Sequence, residues 1–298
     1  MFQMQRQPAF TLALLVVLVL INGLIFTALG MVIGGFVYGF NELSDFLLDT
    51  GTHLGRLRIL QMSSSFGMFV LPPVLLAKIG GKSWANYLQL NPVSNFFLWT
   101  TLLVMLVSIP TLEWTVILNQ KMHLPDGFKG IEQWMHHKED LASELTRKLL
   151  IMPNLGMLFI NLLMLALLPA IGEEFIFRGC VQRILSQWTK SHHVGIWLTA
   201  IVFSAIHVQF FGFLPRMLLG GLLGYLLFWS GSLYVSILAH FINNALVVMV
   251  FYYDQRKGLP VGQIDRLEPN AWYIYLISFV LTFALLYSFY RNSIRSKK

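Results

Sequence analysis

Long apolar stretches without a charged side chain dominate this sequence and restrict what it can fold into. Residues 8–41 contain no Asp, Glu, Lys or Arg, and further apolar runs follow along the chain. A helix that crosses a lipid bilayer needs about 20 such residues. Charged residues make up only 12% of the chain, whereas a soluble domain carries about 25%. The sequence therefore predicts an all-α fold, a polytopic membrane helix bundle.

The lengths of the apolar runs predict about eight transmembrane helices. The run 217–253 is too long for one crossing, and the turn-forming Ser230-Gly231-Ser232 divides it into two helices. The first run is longer than the apolar part of a signal peptide, so we interpret it as a retained membrane helix. The other runs cover residues 59–77 (broken by Pro72-Pro73), 96–112, 149–172, 194–215 and 271–290.

The basic net charge of +7 does not indicate a nucleic-acid partner, because the 21 Lys and Arg residues are scattered between apolar runs. Basic residues beside membrane spans instead favour anionic lipid headgroups. We therefore expect membrane lipids as partners and no nucleic acid. The single cysteine, Cys180, excludes an intrachain disulfide and a cysteine-based metal site.

A polar segment, residues 119–148, separates two groups of apolar runs. Apolar residues at helical spacing between residues 131 and 150 predict a helix along the membrane surface. We divide the chain into three parts. Residues 1–148 hold the N-terminal transmembrane helices and the polar connecting segment, residues 149–253 form a second helix bundle, and residues 254–298 contain a loop, the last transmembrane helix and a basic tail.

Ionisable residues inside membrane spans are costly and often mark functional sites. Glu173, Glu174 and Arg178 lie at the end of the fourth apolar run, and His207 and His240 lie within later runs. Glu174 and Arg178 are four residues apart, so they can pair on one helix face. Glu173 points about 100° away on the helix and is free for another task.

Two further pairs share the four-residue spacing, Phe203 with His207 and His240 with Asn244. One carboxylate, two imidazoles and one carboxamide can therefore converge from three helices. Such groups can deprotonate a water and donate hydrogen bonds to a developing oxyanion, which predicts water-activated amide hydrolysis. From the residues alone, Glu173, His207 and His240 could instead bind zinc and leave one position open for water.

These residues form three short motifs that occur together in a known family. Glu173-Glu174-Phe-Ile-Phe-Arg178 matches EExxxR, Phe203-Ser-Ala-Ile-His207 matches FxxxH, and His240-Phe-Ile-Asn-Asn244 matches HxxxN. Their order, each on an apolar helix, resembles that of the CPBP intramembrane proteases, also called the Abi or CAAX-protease family. The resemblance covers about residues 154–250.

The resemblance implies that residues 149–253 are a CAAX-protease-like catalytic helix bundle, an intramembrane endopeptidase. It implies Glu173 as the general base that activates water, with His207 helping to orient that water. His240 and Asn244 would form the oxyanion hole, and Glu174 and Arg178 would support the site. It favours hydrolysis without a cofactor, with zinc held by Glu173, His207 and His240 as the second choice.

Two other function classes are compatible with the sequence. One is a non-catalytic membrane scaffold or a bacteriocin self-immunity protein, which the same family includes. The other is a transporter with a buried proton relay, although the internal repeats common in transporters are not seen. We expect a peptide or membrane-protein substrate, with lipidation left open, and a multi-pass location in the plasma membrane of a bacterium.

Overall fold

The computed structural model describes residues 7–40, 54–259 and 270–295. Throughout these residues the secondary structure is helical, without strands, so the expected all-α fold is confirmed. Parts of the predicted N-terminal segment, loop and basic tail (residues 1–6, 41–53, 260–269 and 296–298) lie outside the described residues. Ten helices longer than two turns are present in the described part: α1 (Pro8–Tyr38), α2 (Leu54–Ile79), α3 (Asn95–Val107), α4 (Ile109–Gln120), α5 (Lys129–Leu149), α6 (Leu155–Thr189), α7 (His192–Ala205), α8 (Phe213–Ser230), α9 (Leu233–Arg256) and α10 (Trp272–Arg295).

The number of membrane spans differs from the eight expected. In the described residues, six helices are individually long and apolar enough to cross a membrane: α1, α2, α6, α8 with the turn before it, α9 and α10. The helices α3 and α4 qualify together as a seventh span, bent by 45°. The predicted span 194–215 is instead the 14-residue helix α7 followed by a turn. At 1.5 Å per residue α7 is about 21 Å long, short of the ~30 Å hydrocarbon core. The chain is nevertheless a multi-pass integral membrane protein, as predicted.

Helices α7 and α8 form a hairpin that begins and ends on the same side of the bundle. Arg183, near the end of α6, donates a hydrogen bond of 2.7 Å to a carbonyl of the loop 87–91. The same loop bonds to the carbonyl of Gly231, which follows α8, at 2.8 Å. At the other end, Asn119 of α4 donates to the carbonyl of Phe210 in the turn of the hairpin, at 3.0 Å. The hairpin therefore extends from the loop 87–91 to the C-terminal end of α4.

The two prolines of the second apolar run do not break its helix, contrary to expectation. The π-helical segment Phe66–Val70 precedes them, and Pro72 and Pro73 occupy the first turn of the helical segment that follows. Proline lacks a backbone N–H and its ring clashes with the preceding turn. Local π-helical adjustment is one way in which membrane helices accommodate this, so α2 continues to Ile79.

Helices α6 and α9 lie at the centre of the bundle. Helices α1 and α2 pack on one side of them, and α3, α4, α8 and α10 pack on the other. One buried cluster includes Phe175 and Cys180 of α6 and Phe203 of α7. A second joins Leu223 of α8 to Phe289 of α10. The single cysteine is thus a buried free thiol in the core.

Glycines bring α8 into close contact with α7. A Cβ atom on Gly220 would lie 3.2 Å from the Cα atom of Ala200, and one on Gly224 would lie 2.8 Å from the side chain of Ile196. Small residues allow membrane helices to approach in this way. The close packing places the backbone carbonyl of Gly220 beside α6, where it contributes to the site below.

Candidate active site

The two adjacent glutamates lie on α6 where its geometry changes. Glu173 and Glu174 end an α-helical segment, and the π-helical segment Phe175–Val181 follows directly. All side chains of that π-helical segment are buried. Short π-helical segments are frequent at functional sites because they widen the helix and redirect side chains. This segment carries Arg178.

Glu174 and Arg178 form a fully buried ion pair, as their spacing predicts. Nη1 of Arg178 lies 2.7 Å from Oε1 of Glu174, and both side chains are 0% exposed. Nη2 of Arg178 donates to the carbonyl of Gly220 at 3.1 Å, which joins α6 to α8. The guanidinium also lies 4.6 Å from the ring centroid of Phe203, a favourable cation–π distance. Arg178 is therefore held from three sides.

His240 of α9 joins this ion pair. Its Nδ1 atom lies 2.8 Å from Oε1 of Glu174. A carboxylate only accepts hydrogen bonds, so Nδ1 carries a hydrogen and Nε2 becomes a donor only when the ring is protonated. Nε2 in turn lies 3.8 Å from Oε2 of Glu173, beyond direct hydrogen-bond distance. This separation allows one water molecule to hydrogen-bond to both Glu173 and His240.

His207 lies in the turn after α7 and packs against the ring of Phe203. Its Nδ1 donates to the carbonyl of Phe203 at 2.7 Å, which leaves Nε2 as an acceptor. The Phe203 ring lies 5.0 Å from the His207 ring and 6.0 Å from the His240 ring. Within the described chain, no hydrogen bond or ion pair connects His207 to Glu173. The structure thus brings Glu173 beside His240 and places the Phe203 ring in contact with both His207 and His240.

Asn244 lies one helical turn after His240 on α9. Nδ2 of Asn243 donates to Oδ1 of Asn244 at 3.1 Å. This bond fixes the orientation of the Asn244 amide and leaves its Nδ2 group without a partner among the residues described. Asn244 can therefore offer an N–H donor from the same helix as His240.

Arg216 is a charged residue near the site that the sequence analysis missed. Its guanidinium donates to the side chain and the carbonyl of Gln209, at 2.8 and 3.3 Å, and so stays beside the turn that carries His207. Its positive charge acts on Glu173 and on Glu139 of α5. Its position in the sequence, as an arginine between two apolar runs, was the signal by which it could have been identified.

The residues do not form a zinc site in their present arrangement. No three His, Cys, Asp or Glu side chains in the described chain are grouped so that they could hold a metal ion. Of the zinc ligands considered from sequence, Glu173 and His240 are neighbours, whereas no hydrogen bond or ion pair in the described chain joins His207 to either of them. No step of the chemistry proposed below is therefore assigned to a metal.

An apolar cavity of about 350 Å³ lies beside the hairpin turn, between that turn and α5. Met122, Met135 and Phe210 are among the residues that line it. Helix α5, predicted from apolar spacing, covers the turn, because its Trp134 packs against Phe210 with ring centroids 5.5 Å apart. The cavity offers apolar space next to the turn that carries His207.

Fold and site together define an integral membrane protein with a buried glutamate–arginine–histidine centre. Residues 155–246, which include all three motifs, match the family model described as type II CAAX prenyl endopeptidase Rce1-like. The match confirms the family resemblance for this segment, which is CAAX-protease-like and implies protease activity at the level of the family. The matched residues lie within the predicted segment 149–253.

A second comparison finds a bacterial relative of unknown function. The chain is 32% identical over 90 residues to the uncharacterized protein YpbD of Bacillus subtilis (strain 168). The alignment spans 29% of this chain and 43% of that protein. No solved structure matches the chain.

Proposed function

We propose that this protein is an intramembrane endopeptidase that hydrolyses a peptide bond with a water activated by Glu173, without a metal. One observation carries the proposal. Glu173 lies 3.8 Å from Nε2 of His240, and the other ring nitrogen of His240 is bonded to the buried Glu174–Arg178 pair. A carboxylate is thus placed beside an imidazole whose orientation is fixed. The family match of residues 155–246 supports peptide hydrolysis as the reaction class.

The first step is attack on the peptide carbonyl. Glu173 accepts a proton from the water as the oxygen of that water bonds to the carbonyl carbon. The carbonyl oxygen thereby becomes an oxyanion. Protonated His240 and Nδ2 of Asn244 donate hydrogen bonds to that oxyanion. Nε2 of His207 accepts the second hydrogen of the water and orients it. Glu174 stabilises the imidazolium form of His240, because it accepts the hydrogen bond from Nδ1.

The second step breaks the peptide bond. Glu173, now protonated, gives its proton to the leaving nitrogen as the C–N bond breaks and the oxyanion reforms a carbonyl. The products are a carboxylic acid and an amine. Oε1 of Glu174 accepts hydrogen bonds from both Arg178 and His240, so Glu174 positions His240 and does not act as the base.

The substrate that we propose is a peptide segment of a membrane-associated protein. The apolar cavity of about 350 Å³ beside the hairpin turn supports this, because it could accept an apolar side chain or an attached lipid chain. We place the protein in the plasma membrane of a bacterium, which the similarity to a Bacillus protein supports.

The test is cleavage of quenched fluorescent peptides, with and without a prenyl group, by purified protein in detergent. Wild type is compared with Glu173→Gln and with the control Glu113→Gln, whose carboxylate bonds to Asn270 outside the site. We expect Glu173→Gln to lose about 10²–10⁴-fold in rate, Glu113→Gln to retain activity, and a chelator to have no effect.

Three results would contradict parts of the proposal. Equal cleavage by wild type and Glu173→Gln would show that Glu173 is not the general base. Loss of cleavage on chelation, restored by zinc, would replace the metal-free reaction with a zinc-dependent one. No cleavage of either peptide set by a folded wild type would favour a non-catalytic scaffold or self-immunity protein.

A further inference from the structure

A larger cavity, of about 520 Å³, lies at the opposite end of the bundle from α5. It is formed where α6 ends and α7 begins, beside the loop 87–91. Most of the residues that line it are polar or charged, and Leu227 and Phe228 of α8 contribute an apolar wall. The volume is within the ~300–1,000 Å³ typical of small-molecule sites.

The charged residues that line this cavity are all basic. Arg178, Arg183 and Lys190 contribute to the lining, together with His192, and no Asp or Glu does. The buried Nε atom of Arg178 has no hydrogen-bond partner among the residues described. Arg183 is held by the carbonyl of Tyr87, and no carboxylate in the described chain pairs with Arg183 or Lys190. Arg178 is paired with Glu174, whereas the charges of Arg183 and Lys190 are not balanced by a carboxylate of the described residues.

The surrounding end of the bundle is also basic. Lys78 lies in the last turn of α2 and Lys82 follows that helix. Helix α10 ends here with Arg291 and Arg295, since Tyr290 packs against Trp229 at the end of α8. The described acidic residues outside the site lie instead on α4, on α5 or the turn before it, or near the end of α9: Glu113, Asp126, Glu132, Glu139, Asp140, Glu144 and Asp254. Basic side chains without neighbouring carboxylates at the end of a membrane bundle favour contact with anionic lipid headgroups.

The charges at this end act on one another. Burial, and then the charge of Arg183, lower the pKa of the Lys82 amine. The Lys82 amine and the Arg183 guanidinium lie 6.0 and 4.8 Å from the ring centroid of Tyr87. Two cations thus lie against one tyrosine without a carboxylate between them. An anion bound at this place would reduce the repulsion between the two cations.

We propose that this cavity binds a phosphate-type anion, of the kind that an anionic phospholipid headgroup presents at the membrane surface. Arginine binds phosphate through two parallel hydrogen bonds, and lysine binds it as a point charge. Arg183 and Lys190 provide one group of each kind in the lining of the cavity. The apolar wall of Leu227 and Phe228 accommodates the glycerol end of the lipid chains.

The bound anion would act on the candidate active site through Arg178. This residue lines the cavity, and its Nη1 atom holds Glu174 at 2.7 Å. Glu174 in turn holds His240 at 2.8 Å. An anion beside Nε of Arg178 would therefore stabilise the guanidinium on which the orientation of His240 depends.

The test measures binding to the delipidated full chain in detergent. Short-chain phosphatidylglycerol, short-chain phosphatidylcholine and inorganic phosphate are titrated separately, with native mass spectrometry and the thermal unfolding midpoint as readouts. We expect tighter binding of phosphatidylglycerol than of phosphatidylcholine. Lys190→Gln should weaken the affinity for phosphatidylglycerol about five-fold. The control Lys121→Gln removes an exposed charge at the end of α4, on the opposite end of the bundle, and should leave binding unchanged.

Each outcome decides the proposal. Protection by inorganic phosphate to the same extent would support the anion site and identify the free ion as its ligand. Equal affinity for both lipids with no effect of phosphate, or equal weakening by Lys190→Gln and Lys121→Gln, would overturn it. Lys190 is exposed, so its replacement decides the test even if Arg183→Gln, which loses a backbone hydrogen bond, fails to fold. The readout does not depend on peptide cleavage, so it is independent of the proposed peptidase activity.

Discussion

Nδ1 of His240 and Oε1 of Glu174 lie 2.8 Å apart inside the bundle and join α9 to α6. The same carboxylate oxygen accepts the hydrogen bond from Arg178, while Oε2 of Glu174 has no partner in the described chain. The neighbouring Glu173 has a side chain that is 17% exposed, whereas that of Glu174 is 0% exposed. Two adjacent glutamates therefore differ in environment, and their replacement should have different effects.

Glu173→Gln should abolish peptide cleavage without lowering the thermal unfolding midpoint, because Glu173 is not paired with the buried arginine. Glu174→Gln should lower both the rate of cleavage and the unfolding midpoint, since it leaves Arg178 buried without a carboxylate. Breaking a buried ion pair in this way costs about 3–5 kcal/mol. Cleavage rate and unfolding midpoint, measured on the same detergent preparations, separate the two effects. A loss of stability in Glu173→Gln alone would contradict this assignment.

The ion pair of Glu174 and Arg178 should show strong energetic coupling. The double variant Glu174→Gln/Arg178→Met should be less destabilised than the sum of the two single variants, by about 0.5–3 kcal/mol, because the second change removes the charge that the first leaves unpaired. A double-mutant cycle of unfolding free energies measures this.

The matched control is the pair Glu144 and Lys148 of α5, which has the same spacing and a distance of 2.8 Å but lies largely in solvent. Exposed pairs contribute little to stability, so its cycle should give a clearly smaller coupling. Similar coupling in both cycles would show that burial of the first pair has no energetic effect.

The contacts that follow from spacing within one helix could be predicted from sequence, and those between helices could not. Glu174 and Arg178 pair as expected, because residues four apart remain neighbours even beside a π-helical segment. The bond from His240 to Glu174 depends on how α9 packs on α6, which the sequence pattern does not encode. For the same reason the contact of Phe203 with both His207 and His240 was not predicted.

Hydropathy also overestimated one span. Residues 194–215 are mostly apolar and carry no Asp, Glu, Lys or Arg, yet α7 ends at Ala205 and a turn follows. Val208 in that turn has a φ angle of 54°, a conformation that β-branched residues rarely adopt. The apolar residue at position 210 packs against Trp134 of α5 and does not continue a helix. Composition alone cannot distinguish these two reasons for an apolar side chain.

His240→Gln should lower the rate of peptide cleavage, because it removes the imidazole that Glu174 holds in place as a donor to the oxyanion. The loss expected from removing such a donor is about 10²–10³-fold in kcat. Cleavage rates of the variant and of wild type in the same detergent test this, and an unchanged rate in His240→Gln would show that another group donates to the oxyanion.

Gly172→Ala should destabilise the bundle and lower activity together. A Cβ atom at this position would lie 2.6 Å from the Cβ atom of Phe69, which is attached to the backbone of α2 and cannot rotate away. The two helices must then separate, at a cost of about 1–3 kcal/mol, and the adjacent Glu173 moves with them. The control Gly130→Ala adds a methyl group to α5 where nothing lies within 4 Å. Because alanine favours helix over glycine by about 0.5–1 kcal/mol, this control should be neutral or slightly stabilising. Equal unfolding midpoints for the two variants would mean that α2 and α6 do not approach as closely as the packing at Gly172 indicates.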